Sequence, residues 1–163
     1  VLSNMKNMVK VGGKVFIEFR NKLFSLMTFN RYTKEFILDD LLAGVSGDLK
    51  QLVSNDLDKR LEIDKPTPRL QESIDGNNDG DFIGYDAILS KFHNPFEGEQ
   101  VFSELGFKDI KFLWYHYHPG MPFLSENAKE LYRNEALRLE HDVIGWRGFF
   151  LCSAFVIEAT VDE

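Results

Sequence analysis

Residues 9–20 read Val9-Lys10-Val11-Gly12-Gly13-Lys14-Val15-Phe16-Ile17-Glu18-Phe19-Arg20. Lys14 to Arg20 is rich in β-branched and aromatic residues and predicts a strand. The glycine pair before it can turn sharply and stop a helix. Upstream, Leu2, Met5, Met8 and Val9 recur at helical spacing and share one face. A helix, a glycine turn and an apolar strand form the αβ half of an α/β unit.

The same logic extends to the C-terminal end. Residues 97–105 predict a helix stopped by Gly106, and residues 109–118 a strand. Alternation puts Ile110, Phe112, Trp114 and His116 on one face, with Leu113, Tyr115 and Tyr117 on the other. Residues 125–140 predict an amphipathic helix capped by Ser125, and residues 150–161 a final apolar strand. Between these ends, residues 33–43 predict a helix stopped by Gly44. A second begins at Ser46 and carries Leu49, Leu52, Val53, Leu57 and Leu61. Pro66 and Pro68 hold 64–71 extended, 75–81 is a polar turn, and 85–92 predicts a short helix.

The chain has 163 residues and a formal charge of −7, with 15 phenylalanines, so an aromatic-rich core is expected. Its acidity and scattered basic residues argue against a nucleic-acid partner. The longest apolar runs are about half the ~20 residues that a membrane span requires, so no membrane partner is expected. The single cysteine, Cys152, lies in an apolar run and reads as a buried thiol. That usage excludes an internal disulfide and fits a cytoplasmic protein.

Three segments together resemble class I, Rossmann-like S-adenosylmethionine-dependent methyltransferases. Residues 9–17 resemble the hydrophobic-Lys-Pro-Gly-Gly-Lys step into that family's fifth strand, with Val11 in place of the proline. Phe102-Ser103-Glu104-Leu105-Gly106-Phe107-Lys108-Asp109-Ile110 resembles the helix and Gly-Phe turn that lead into the sixth. Residues 150–161 match the last strand, which in that family inserts antiparallel between the fifth and sixth. The resemblance implies an α/β fold comprising strands five to seven of the methyltransferase sheet with flanking helices. Residues 1–20 and 96–163 then belong to the sheet, and 21–95 to a mostly helical insertion for substrate recognition. It also implies S-adenosylmethionine as cofactor, but the family's Gly-x-Gly loop and ribose-binding acid have no counterpart here. No cofactor-binding residue carries over, and the expectation is a C-terminal half that is inactive alone.

Ligands of open α/β sheets bind beyond the carboxyl ends of the parallel strands. His116 and His118 lie at such an end, share one face by alternation, and are the candidate catalytic bases, since imidazole titrates near neutral pH. Asn21, Arg31, Tyr32 and Tyr117 are the candidate substrate contacts. For Asn30-Arg31-Tyr32-Thr33 a helix cap by Asn30 or Thr33 explains the polarity as well. His93-Asn94-Pro95 reads as a helix-terminating turn rather than as part of a three-histidine metal site.

Residues 75–86, Asp75-Gly76-Asn77-Asn78-Asp79-Gly80-Asp81-Phe82-Ile83-Gly84-Tyr85-Asp86, resemble an EF-hand calcium loop. Asp75, Asn77, Asp79, Asp81 and Asp86 supply oxygens at the expected positions, with glycine at the sixth. Against this, the twelfth ligand is Asp rather than Glu, two prolines interrupt the entering helix, and no second hand exists. The first expectation is therefore a methyltransferase half acting on a small-molecule methyl acceptor. Homo-oligomerisation or the missing N-terminal half would cover its open sheet. The alternative is a non-catalytic binding or dimerisation module, calcium-dependent through 75–86.

Overall fold

A computed structural model describes residues 1–61, 91–122 and 124–162. The calcium-loop reading of Asp75, Asn77, Asp79, Asp81 and Asp86 lies outside the described residues. The chain opens with helix α1 (Leu2–Met8) and strand β1 (Lys14–Asn21). Gly12, at φ +79, makes the left-handed step between them, which glycine adopts without strain. Helices α2 (Ser25–Thr28) and α3 (Arg31–Glu35), a π-helical segment (Phe36–Leu41) and α4 (Gly47–Leu61) follow. Beyond 91 come β2 (Phe92–His93), α5 (Pro95–Glu104) and β3 (Phe107–Tyr117). Helices α6 (Leu124–Asn127), α7 (Lys129–Leu139) and α8 (Gly148–Leu151) precede the last strand, β4 (Cys152–Val161).

The four strands form an open mixed sheet in the order β2-β1-β4-β3. β1 pairs parallel with β2 at Arg20 and Asn21, while β4 lies antiparallel between β1 and β3. β1 and β3 thus run the same way, so the carboxyl ends of β1, β2 and β3 share one end of the sheet. The α/β class is the one expected, and the last strand, reversed between the other two long ones, takes the order that the methyltransferase resemblance implied.

Val15, Ile17 and Phe19 of β1 pair with Ala159, Ile157 and Phe155 of β4, and β3 adds Phe112 and Trp114 to the row. Phe102 of α5 closes over this face, 1% exposed, with its ring centroid 6.1 Å from that of Phe19. Burial of a large aromatic side chain of this kind stabilises a fold by about 1.5–3 kcal/mol. The opposite face carries Phe16, which remains 59% exposed.

Several boundaries differ from the sequence expectation. Phe92, expected in a helix, lies in β2. Asn94-Pro95 starts a helix rather than ending one, because the Asn94 side chain accepts from Phe96 N and proline occupies the first turn. The helix expected over 125–140 breaks at Ala128, whose φ of −138° leaves helical space. Ser125 therefore lies inside α6 instead of capping one long helix. The strand expected from residue 150 begins at Cys152, because residues 148–151 first make the turn of α8.

Alternation along β3 fails twice. Asp109 and His116 have φ of 53° and 56°, and the register to β4 slips between Lys108 and Lys111. Both are positive-φ positions of the kind that bend or re-aim an edge strand.

Candidate functional site

A pocket of about 480 Å³ opens where β1, β2 and β3 end. Its sheet-side wall carries Arg20, Phe92, His118 and Ser153, while α2 and the start of α3 contribute Phe24, Ser25, Thr28, Asn30 and Tyr32. The helical side is fixed by local capping. Asn30 Oδ1 accepts from Tyr32 N at 3.0 Å, and Asn30 N donates to Thr33 Oγ1 at 3.1 Å, a reciprocal capping box. Thr28 and Thr33 hydroxyls both donate to the Ser25 carbonyl, at 2.8 and 2.6 Å, which pins α2 against α3. The capping role of Asn30 and Thr33 weighed from sequence is thus the observed one.

Aromatic pairs form the walls. Phe24 lies 4.5 Å from His118 between ring centroids, and Tyr32 lies 5.2 Å from Phe92. Arg31 does not line the pocket; its guanidinium sits 4.7 Å from the Tyr32 ring centroid and donates to the Tyr32 hydroxyl at 2.9 Å. Of the expected substrate contacts, Tyr32 alone reaches the opening.

Asn21 and Tyr117 hold the scaffold instead. Asn21 is 1% exposed; its Nδ2 donates to the carbonyls of Phe149 and Cys152, both at 2.8 Å, and its Oδ1 accepts from Leu23 N at 3.0 Å. The amide fastens the end of β1 to the turn that starts β4, so it is not the open contact expected across from the histidines. Tyr117 is 3% exposed and donates to the Asp142 carbonyl at 2.6 Å. Burial pushes both its phenol and the Cys152 thiol upward, so neither ionises near neutral pH.

The two histidines separate. The positive φ of His116 ends the alternation, leaving it exposed with its ring 4.7 Å from Tyr115. His118, just beyond β3, is half-buried on the pocket wall. Its Nδ1 lies 3.0 Å from the Tyr132 hydroxyl, which donates to the Gly120 carbonyl at 2.9 Å. A phenol has one proton. Both contacts are satisfied only if His118 Nδ1 carries a hydrogen and donates it, which leaves Nε2 with its lone pair. Among the described residues Nε2 has no hydrogen-bond partner. Burial first, and His116 second, lower the His118 pKa, while Glu140 opposes them. The arrangement therefore presents a neutral imidazole of fixed tautomer, competent to accept a proton.

Tyr132 falls within the helix expected over residues 125–140, and no motif marks it there. Nothing in the sequence marked Phe24, Ser25 or Ser153.

A second pocket, of about 440 Å³, lies on the other side of Phe92, against Phe19, Phe102 and Phe155. His93 lines it, away from the His118 pocket. Its rim carries the Lys22–Asp40 ion pair at 2.6 Å, which links β1's end to the π-helical segment. Among the described residues no three His, Cys, Asp or Glu side chains gather as a metal site, so the three histidines do not converge.

The glycine pair Gly12-Gly13 does not form an S-adenosylmethionine loop. A glycine loop that cradles such a ligand follows the carboxyl end of a strand and opens a helix. Here Gly12 and Gly13 precede β1, and a Cβ on Gly13 would lie 2.6 Å from Val9 and 2.9 Å from the Lys10 carbonyl. That pair closes its own turn. No described helix is long and apolar enough to cross a membrane. No known protein family, curated protein or solved structure matches this chain.

Proposed function

We propose that the chain is the C-terminal part of a class I S-adenosylmethionine-dependent methyltransferase, strands five to seven of its sheet, acting on a small-molecule acceptor. The observation that carries this reading is the placement of β4, antiparallel between two strands that run the same way. The glycine turn into β1 and the Gly-Phe turn into β3 support it. The segment after β1 supplies one wall of the pocket, as a substrate-recognition insertion would. Site and cofactor separate on this reading: the pocket beyond the strand ends takes the acceptor, and residues outside this chain hold the methyl donor.

In that role His118 accepts the proton of the acceptor's nucleophilic atom at Nε2, and Tyr132 keeps that nitrogen bare. Phe24, Tyr32 and Phe92 orient an apolar acceptor and exclude water. Phe16 is the apolar surface that an N-terminal half or a second copy would cover. The test is transfer of a radiolabelled methyl group by the complete polypeptide to small molecules from cell extract. His118→Ala should lower turnover by about 10²-fold if the imidazole is the base, and full turnover in that variant removes it from the chemistry.

A further inference from the structure

We propose that the pocket at the strand ends is built for an uncharged aromatic molecule of about two fused rings, carrying a hydroxyl that donates to His118 Nε2. The reading of the chain as a transferase gives this ligand its meaning as an acceptor, but the binding itself depends only on residues present here.

Three observations converge. The volume, about 480 Å³, falls within the range of small-molecule sites. Two aromatic pairs, Phe24 with His118 and Tyr32 with Phe92, stand on the wall with their rings inclined by 37° and 48°. Flat rings meet such surfaces in offset or edge-on contact. Polar residues also line the wall, Arg20, Thr28, Asn30 and Ser153 among them, and His118 is the one whose protonation the geometry fixes. Tyr132 fixes the bare nitrogen of His118 as an acceptor. A ring bearing one hydroxyl answers that nitrogen.

The requirement for a donor sets the specificity. A methyl ether of the same ring fills the same space and offers Nε2 nothing. A carboxylate offers Nε2 a second lone pair and depends on Arg20 instead.

The probes are 2-naphthol, 2-methoxynaphthalene and 2-naphthoate, titrated against the intact chain by their own fluorescence at neutral pH. 2-Naphthol should bind, and the ether should bind about tenfold more weakly. His118→Phe, which keeps the contact with Phe24 and deletes both nitrogens, should abolish the difference between naphthol and ether. Equal binding of naphthol and ether to the wild type would overturn the proposal, since no hydroxyl is then being read. Tightest binding by naphthoate would overturn it in favour of an anion site, and so would no naphthol binding at millimolar concentration. The wild-type comparison stands even if His118→Phe does not fold. Hydroxyl-selective binding with no methyl transfer by the complete polypeptide would sink the transferase and leave this inference intact. Methyl transfer without such selectivity would do the reverse.

Discussion

Gly148 packs face-on against the indole of Trp114, so closely that a Cβ at residue 148 would lie 2.0 Å from Trp114 Cγ. Trp114 is 2% exposed, at the centre of the core row, and cannot swing aside. This contact fixes where α8 crosses β3 and hence where β4 enters the sheet. Gly148→Ala should therefore destabilise at the upper end of the usual 1–3 kcal/mol for overpacking, about 5–10 °C in melting temperature. A variant melting within about 1 °C of wild type would show that the turn gives way easily.

Asn21 binds the same turn from the other side. Asn21→Ala leaves the Phe149 and Cys152 carbonyls and the Leu23 N–H without their partner. Each buried group left bare costs about 1–3 kcal/mol. Chemical denaturation should show the loss, with the naphthol selectivity of any folded fraction unchanged. Full stability combined with lost ligand binding would return Asn21 to the role of a substrate contact.

The fold was legible where periodicity and glycine placement agree. The turn at Gly12-Gly13, the stop at Gly106 and the apolar runs of β1, β3 and β4 mark the strands, while their order in the sheet was only what the methyltransferase resemblance implied. Two residues hid the site. His116 adopts a positive φ inside a strand pattern that did not announce it, so strict alternation joined it to His118 when the structure separates them. Ala128 breaks a continuous amphipathic pattern, and the break sets α7 so that Tyr132 meets His118 and Gly120. Phe24, Ser25 and Ser153 join the pocket through tertiary packing, which leaves no local signature. Asn21 sits at the strand end where ligands bind, and from sequence a structural amide there looks the same as a binding one.

Stability should fall on mild acidification. Burial lowers the pKa of His118 and of His93 from the ordinary 6.5, with His116 and Lys91 as the second contributions. The unfolded chain then takes up protons that the folded chain resists. Their contribution is full above about pH 6.5 and shrinks as the pH falls through that value toward the folded pKa. Melting temperature should drop between about pH 7.5 and pH 5, and His118→Phe should make the drop shallower. Glu140 opposes the shift from the end of α7, and Tyr132 and Phe24 carry no charge there. An identical slope in wild type and variant would mean that His118 is not held neutral.

Tyr132 acts on His118 through the proton at Nδ1. In nitrogen-15 spectra above pH 7, Nε2 of His118 should resonate as a bare nitrogen and Nδ1 as a protonated one. Tyr132→Phe removes the acceptor for Nδ1–H and should move the population toward the Nε2–H tautomer, with a smaller preference for 2-naphthol over its ether. An unchanged tautomer in that variant would assign its control to another group.

The most direct measurement is calorimetric titration of S-adenosylmethionine into the polypeptide encoded by the whole reading frame that contains these 163 residues, with the 163-residue chain as control. One site of micromolar strength is expected in the complete polypeptide and none in the control, because Gly12 and Gly13 precede their strand instead of following it, where a cofactor-holding glycine loop lies. Absence of binding by the complete polypeptide would contradict the methyltransferase reading, and so would one tight site on the 163 residues alone.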